Sequence, residues 1–157
     1  MQGLWIYRHP VDLNGVRRFH RNLFGTLLAR RIEPSPLPFG RHRWVSQPFT
    51  DSNFDIAQHP RPRDELYTWA DEQVELPLDP ERGPAWRLGV QPFDDGTTVV
   101  SLVASHCVAD GAGSSAVPSR SGARCTTNRY AGTDAIVPAI TPNSCEIVCL
   151  RGLPPSR

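Results

Sequence analysis

Lysine is absent from this chain. The 157 residues include 17 basic side chains, and every one of them is an arginine. Arginine and lysine recognise different chemical groups, but the complete exclusion of one is explained more simply by GC-rich codons than by function. We therefore interpret this bias as the mark of a high-GC bacterial genome.

Long hydrophobic runs and a strong net charge are also missing. The formal net charge of +1 creates no global field that would attract nucleic acid or a membrane surface. No apolar run has the length needed to span a bilayer. Near the N-terminus Trp5-Ile6-Tyr7 gives way at once to Arg8, so a signal-peptide core is not indicated. We expect a cytoplasmic protein without a nucleic-acid partner or a transmembrane segment, and peripheral attachment to a membrane stays open.

The charges are unevenly distributed along the chain. Residues 1–63 carry ten arginines and four acidic residues. This excess permits a site for a polyanion, but solvated arginines with intramolecular pairing are the favoured interpretation.

The sequence offers little to a metal ion or a phosphate-bearing cofactor. Three of the four cysteines, Cys125, Cys145 and Cys149, lie in a stretch without histidine, and their spacing fits the zinc motifs only loosely. No phosphate-binding glycine loop is present. We predict no metal site and no tightly bound cofactor. Four histidines show no ligand spacing and are assigned surface or packing roles: His9, His20, His42 and His59.

Two amphipathic helices are predicted in the first half of the chain. Asp12 and Asp64 are the expected N-caps. Apolar side chains recur at helical spacing after each of them. In the first helix they are Leu13, Val16, Phe19, Leu23, Phe24 and Leu27, and in the second Leu66, Trp69, Ala70 and Val74.

Extended structure is predicted around these helices. Residues 4–7 indicate a short strand, and Trp44-Val45 indicates another within a proline-rich stretch. Residues 85–104 predict a β-hairpin, because Asp94-Asp95-Gly96 is a strong turn signal between two strand-like runs. The second of these runs is uniformly apolar, which is typical of a strand buried on both faces.

The last forty residues differ in character. Residues 118–157 are rich in proline, serine and threonine, and sustain no helical or strand period. We predict an irregular or disordered tail. A shifted reading frame is our preferred explanation, because the small-residue segment after Gly111 loses its helical character abruptly.

The most informative residues directly follow the apolar strand. His106 comes just after its end, and Asp110-Gly111 follows after three variable residues. A histidine at a rigid strand end suits a general base that titrates near neutral pH. Cys107 beside it permits a Cys–His pair, but a buried, inert thiol is favoured, because neighbouring side chains at a strand end point apart.

This His-x-x-x-Asp-Gly pattern resembles the signature of the condensation-domain superfamily. That superfamily includes chloramphenicol acetyltransferase-like, wax ester synthase/diacylglycerol acyltransferase-like and polyketide-associated acyltransferases. Residues 78–88 resemble the segment that enters the strand before the signature in this family. The helix at 13–24 and residues 30–37 resemble the early part of the family, and they are most similar to its wax ester synthase and mycobacterial-type acyltransferase branches. Ser105 stands where many relatives have a second histidine. The resemblance covers residues 1–117.

The resemblance implies an α/β, chloramphenicol acetyltransferase-like two-layer sandwich of which this chain holds one incomplete lobe. It implies acyl transfer from an acyl-CoA or acyl-carrier thioester to a hydroxyl acceptor, with His106 as general base. Asp110 is then structural, paired with an arginine for which Arg87 is a candidate, and Gly111 serves backbone geometry.

Whether this chain is itself an enzyme stays open. The family's channel lies between two lobes, so we expect a missing second lobe as partner and an inactive chain in its absence. Two alternatives remain: a non-catalytic truncated protein or pseudo-enzyme, and a fragment of a peptide-synthetase condensation domain.

Overall fold

The chain folds into mixed α/β structure around one main sheet. A computed structural model describes residues 1–108 and the backbone of residues 145–150. The helices are α1 (Leu13–Leu23) and α2 (Leu66–Glu75). The strands are β1 (Gln2–Tyr7), β2 (Arg30–Glu33), β3 (Arg43–Ser46), β4 (Phe54–Ile56), β5 (Trp86–Pro92), β6 (Thr98–Ala104) and β7 (Cys145–Leu150).

Strand β6 is the centre of the main sheet. The strand order is β4-β5-β6-β1-β7, and β2 and β3 form a separate antiparallel pair. β6 pairs antiparallel with β5 on one side and with β1 on the other. All seven of its residues are buried. The prediction of a strand buried on both faces is confirmed.

The turn of the β5–β6 hairpin lies where the sequence predicts it. Gly96 adopts a φ of 80°, which favours glycine over other residues. The Asp95 carboxylate accepts a hydrogen bond from the Thr97 backbone N–H at 2.9 Å. Hydrogen bonds from Thr97, together with the nearby Arg63, lower the pKa of Asp95. The acid is therefore held in its charged, turn-stabilising form.

Helices cover both faces of the sheet. One cluster joins α2 to one face, and its buried members are Leu4, Ile6, Leu66, Trp69, Ala70, Phe93 and Val99. The opposite face packs against α1, with Trp5, Tyr7, Val16, Leu23, Trp86, Leu88, Val90, Val100 and Leu102 among its members. The predicted α/β class is confirmed, whereas the two-layer sandwich stays a prediction, since in the described part a helix packs on each face.

Parallel pairing of β4 and β5 explains the position of α2. Parallel neighbours require a long crossover connection, which is usually helical. Residues 57–85 supply this connection and contain α2.

The buried side of α1 is rotated slightly from the predicted one. Asp12 caps the helix as predicted, with its carboxylate accepting from the Asn14 backbone N–H at 2.9 Å. The buried residues are Gly15, Val16, His20 and Leu23, whereas Leu13 is 39% exposed. His20 can occupy an interior position because its ring is hydrogen-bonded and packed among aromatic side chains.

The start of α2 differs from the prediction. Asp64 lies inside a 3₁₀ turn at Arg63–Glu65, and neither that turn nor α2 has a side-chain N-cap bond. The buried side also includes Gln73, while Val74 is exposed. The 3₁₀ turn leads directly into the helix, so the N-cap position that the sequence assigns to Asp64 does not arise.

Strand β7 lies in the stretch for which the sequence indicates no regular structure. Its residues pair antiparallel with β1, from Tyr7 opposite Cys145 to Gln2 opposite Leu150. The unpaired backbone groups on the outer edge of β1 offer this strand its hydrogen bonds. The remainder of residues 118–157 lies outside the described residues, so the domain boundary after residue 117 and the frame-shift explanation stay predictions.

Within residues 1–108 and 145–150, neither helix is long and apolar enough to cross a bilayer.

Gly89 in β5 provides a test of the packing between α2 and the sheet. A Cβ atom at this position would lie 2.6 Å from the Gln73 Oε1. We expect Gly89→Ala to lower the free energy of unfolding by about 1–3 kcal/mol, because the buried Gln73 must shift. Urea unfolding monitored by circular dichroism measures this change.

Adding Gln73→Ala to Gly89→Ala should restore part of the lost free energy of unfolding. The double variant lacks the amide that the new Cβ atom would otherwise contact. Gly3→Ala in β1 is the matched control, because the nearest atom to its Cβ lies 3.6 Å away. Equal effects of the two glycine substitutions, or no recovery in the double variant, would contradict this account.

Candidate functional site

His106 lies in a tight turn that directly follows β6. The Val108 backbone N–H donates to the Ser105 carbonyl at 3.1 Å, so His106 and Cys107 are the two central residues of the turn. The Ser105 Oγ accepts a hydrogen bond from the Cys107 N–H at 3.3 Å. Val108 packs against the hydrophobic cluster under α1. The turn is therefore anchored at both ends, and its central residues project outwards.

The end of β6 is held by its neighbours on both sides. Ala104 and Met1 exchange hydrogen bonds: the Ala104 N–H donates to the Met1 carbonyl at 2.9 Å, and the Met1 amino group donates to the Ala104 carbonyl at 3.0 Å. Partial burial lowers the pKa of this amino group. On the other side the Ser105 N–H donates to the Ala85 carbonyl at 2.8 Å. His106 therefore directly follows two residues whose backbone groups are hydrogen-bonded to the neighbouring chain segments.

The imidazole of His106 is available to an incoming group. The side chain is exposed, and within the described part of the chain it has no hydrogen-bond partner. A general base needs a free nitrogen within hydrogen-bond reach of the proton it removes. The turn presents such a nitrogen, while an orienting partner for the ring is not found among residues 1–108.

Arg87 is the second charged group near this end of the sheet. It lies on β5 opposite Val103, three residues before His106 on the neighbouring strand. Its Nε is buried and has no hydrogen-bond partner among the residues described. A buried guanidinium nitrogen without an acceptor is costly, so this position favours a carboxylate partner.

Two of the three predicted site residues cannot be placed. Asp110 and Gly111 lie outside the described residues, so their roles stay predictions. The described segments contain no group of three or more His, Cys, Asp or Glu side chains arranged to hold a metal ion.

Cys107 differs from its prediction. It is an exposed free cysteine, whereas the sequence predicts a buried thiol. The turn explains the difference: β6 ends at Ala104, and both central positions of a turn face outwards.

The loop before β5 is tightly organised. The Asp79 carboxylate accepts hydrogen bonds from the backbone N–H groups of Arg82 and Glu81, and these bonds lower the pKa of Asp79. Gly83, with a φ of 67°, then turns the chain towards β5. Because Ala85 clamps the end of β6, this loop supports the His106 turn from the neighbouring strand.

A second candidate site was missed by reasoning from the sequence. An open cleft beside α1 is lined by Arg17, Arg21, Phe49, Asp51, Phe54 and Ile56. Arg17 and Arg21 are separated by one helical turn, which the sequence does show. Asp51 and the two phenylalanines come from a proline-rich stretch without a usable period, so only the fold brings them to α1.

Comparisons with known proteins show which fold this is. No family model matches the sequence, and no curated protein sequence matches it either. Among solved structures, SgcC5 of Streptomyces globisporus is similar at a TM-score of 0.55 and 18% identity, over 68% of this chain and 25% of that protein.

Two condensation domains are similar as well. The first condensation domain of the calcium-dependent antibiotic synthetase has a TM-score of 0.53 and 17% identity, over 67% of this chain and 28% of that one. A variant of the starter condensation domain of rhizomide synthetase has a TM-score of 0.52 and 10% identity, over 67% and 26%. The chain therefore has the condensation-domain fold and spans about a quarter of the length of the proteins that share it.

Proposed function

We propose that this chain is the N-terminal part of a condensation-type acyltransferase, with His106 as its general base. The single observation that supports this most is the exposed imidazole at the end of a fully buried central strand, within this fold. The similarity in fold to condensation domains supports an acyltransferase-like or condensation-domain fragment.

The proposed reaction moves an acyl group from a thioester to a hydroxyl. His106 takes the hydroxyl proton as the oxygen forms a bond to the thioester carbonyl carbon. The carbon–sulfur bond then breaks, and the imidazolium returns the proton to the departing thiolate. The products are an ester and a free thiol, from either acyl-CoA or an acyl-carrier protein.

An amine acceptor is the second candidate. Two of the similar structures are condensation domains of synthetases, and this favours testing amide formation beside ester formation. The same base would then take a proton from the attacking amine. A non-catalytic role remains the third candidate, because the chain covers only about a quarter of its neighbours.

The chain alone should show no measurable acyl transfer. Without a positioned thioester and acceptor, the base lacks the proximity effect, which can lower the activation barrier by about 7–11 kcal/mol. Purified protein incubated with short- and long-chain acyl-CoA, and with an alcohol or an amine, should release no thiol above the buffer rate. If the chain does turn over and His106→Ala abolishes that turnover, the interpretation as an inactive fragment is wrong, but the assignment of His106 as general base is supported.

His106 itself is tested in a two-lobed protein, in which a complete second lobe follows residues 1–117. We expect His106→Ala to lower kcat by about 10²–10⁴-fold, the usual contribution of general-base catalysis. His42→Ala, which removes another exposed histidine, is the control and should leave kcat unchanged. Near-full activity of His106→Ala would refute the assignment.

The proposed pair of Arg87 and Asp110 is tested by a double-mutant cycle in this chain. We expect Asp110→Asn and Arg87→Met to destabilise the fold, with a coupling energy of about 0.5–3 kcal/mol between them. We expect this destabilisation because the Arg87 Nε is buried and has no acceptor among the described residues. Thermal unfolding of the four proteins measures the coupling, and strictly additive effects would show that the pair does not form.

A further inference from the structure

The cleft beside α1 combines positive charge with an apolar floor. It has a volume of about 430 Å³. Its apolar lining, here called the floor, consists of Phe49, Phe54 and Ile56, and Arg17 and Arg21 of α1 belong to its charged lining. A site of this kind offers contacts to both an apolar body and an anionic group.

The floor packs against the buried ring of His20. His20 is 1% exposed, and its ring stacks on Phe54 with 4.7 Å between centroids and 17° between planes. Its Nε2 donates to the Asn53 Oδ1 at 3.0 Å, and the Asn53 amide donates to the Trp86 carbonyl at 3.2 Å. His20 also contacts Phe49 edge-on at 5.6 Å. Since α1, β4 and β5 all join at this ring, the floor is preorganised.

The two arginines are free to bind a ligand. Among the residues that the structure describes, neither Arg17 nor Arg21 has an ion-pair partner, whereas Arg18 between them pairs with Asp12 at 3.6 Å. They lie at i and i+4, so both guanidinium groups are on one side of α1. Asp51 is the one acid among the described residues that line the cleft, and its Oδ1 lies 3.8 Å from the His20 Nδ1. The cleft keeps a positive excess.

We propose that this cleft binds a small organic anion. Its carboxylate or phosphate group accepts charge-assisted hydrogen bonds from Arg17 and Arg21. Its aromatic or aliphatic body lies against the floor of Phe49, Phe54 and Ile56. The proposal does not depend on acyl transfer or on His106, and binding by the isolated chain is therefore sufficient to test it.

Three probes of similar size separate charge from apolar contact. The probes are 3-phenylpropanoate, 3-phenylpropanol and 3-phenylpropylamine, which share one body and carry a negative, neutral or positive group. Isothermal titration calorimetry on the full chain should show the tightest binding for the propanoate. Its affinity should fall as salt is added, because salt screens the interaction of exposed charges.

Substitutions then locate the site. Arg17→Gln and Arg21→Gln should each weaken propanoate binding by about tenfold, the equivalent of one charge-assisted hydrogen bond. Asp51→Asn should tighten it by removing a repulsive charge. Arg18→Gln is the matched control on the same helix and should leave the affinity within about twofold, because it removes only an exposed pair.

Several results would overturn the proposal. They are equal binding of the three probes, equal losses in Arg18→Gln and Arg21→Gln, and no saturable binding at concentrations on the order of 1 mM. Inorganic phosphate that binds as tightly as the propanoate would overturn the role of the apolar floor. If an arginine variant fails to fold, the salt dependence and the ranking of probes in the unchanged protein still decide the outcome.

Discussion

The backbone pairing of β6 with both of its neighbours is the constraint on which the rest of this structure depends. A strand with every residue buried must find all its hydrogen bonds within the sheet, because water cannot reach its backbone. β5 and β1 supply those bonds, and the alternating side chains of β6 then meet α1 on one face and α2 on the other. Both helices are positioned by the need to cover this strand.

The functional consequence appears where that pairing stops. Met1 and Ala85 hold the last backbone groups of β6, and the chain must then turn into solvent. His106 occupies that first exposed turn. Burial up to Ala104 fixes the backbone before the turn, and exposure after it leaves the imidazole accessible, as the general-base role that we propose for His106 requires. The fold shared with condensation domains is compatible with this use of the strand end.

The aromatic cluster around His20 links parts of the chain that are far apart in sequence. Asn53 connects the ring of His20 to the start of β5 through the Trp86 carbonyl. His20 also packs against Phe49 and Phe54, which line the cleft beside α1, so the fold and the proposed binding site depend on the same aromatic cluster. A polar group in this interior is tolerated because its hydrogen bonds are satisfied.

The sequence by itself determined the local structure whose signals are contiguous. The hairpin at 85–104, the Asp12 cap and the buried character of β6 follow from turn chemistry, capping and apolar patterning, and His106 was found as a residue at a strand end. Tertiary structure decided what depends on distant partners. It buried His20 instead of Leu13 and gave β7 an edge to pair with. It also brought Asp51 to within 3.8 Å of the His20 ring. Those outcomes depend on contacts between segments tens of residues apart, and no local pattern in the chain encodes such contacts.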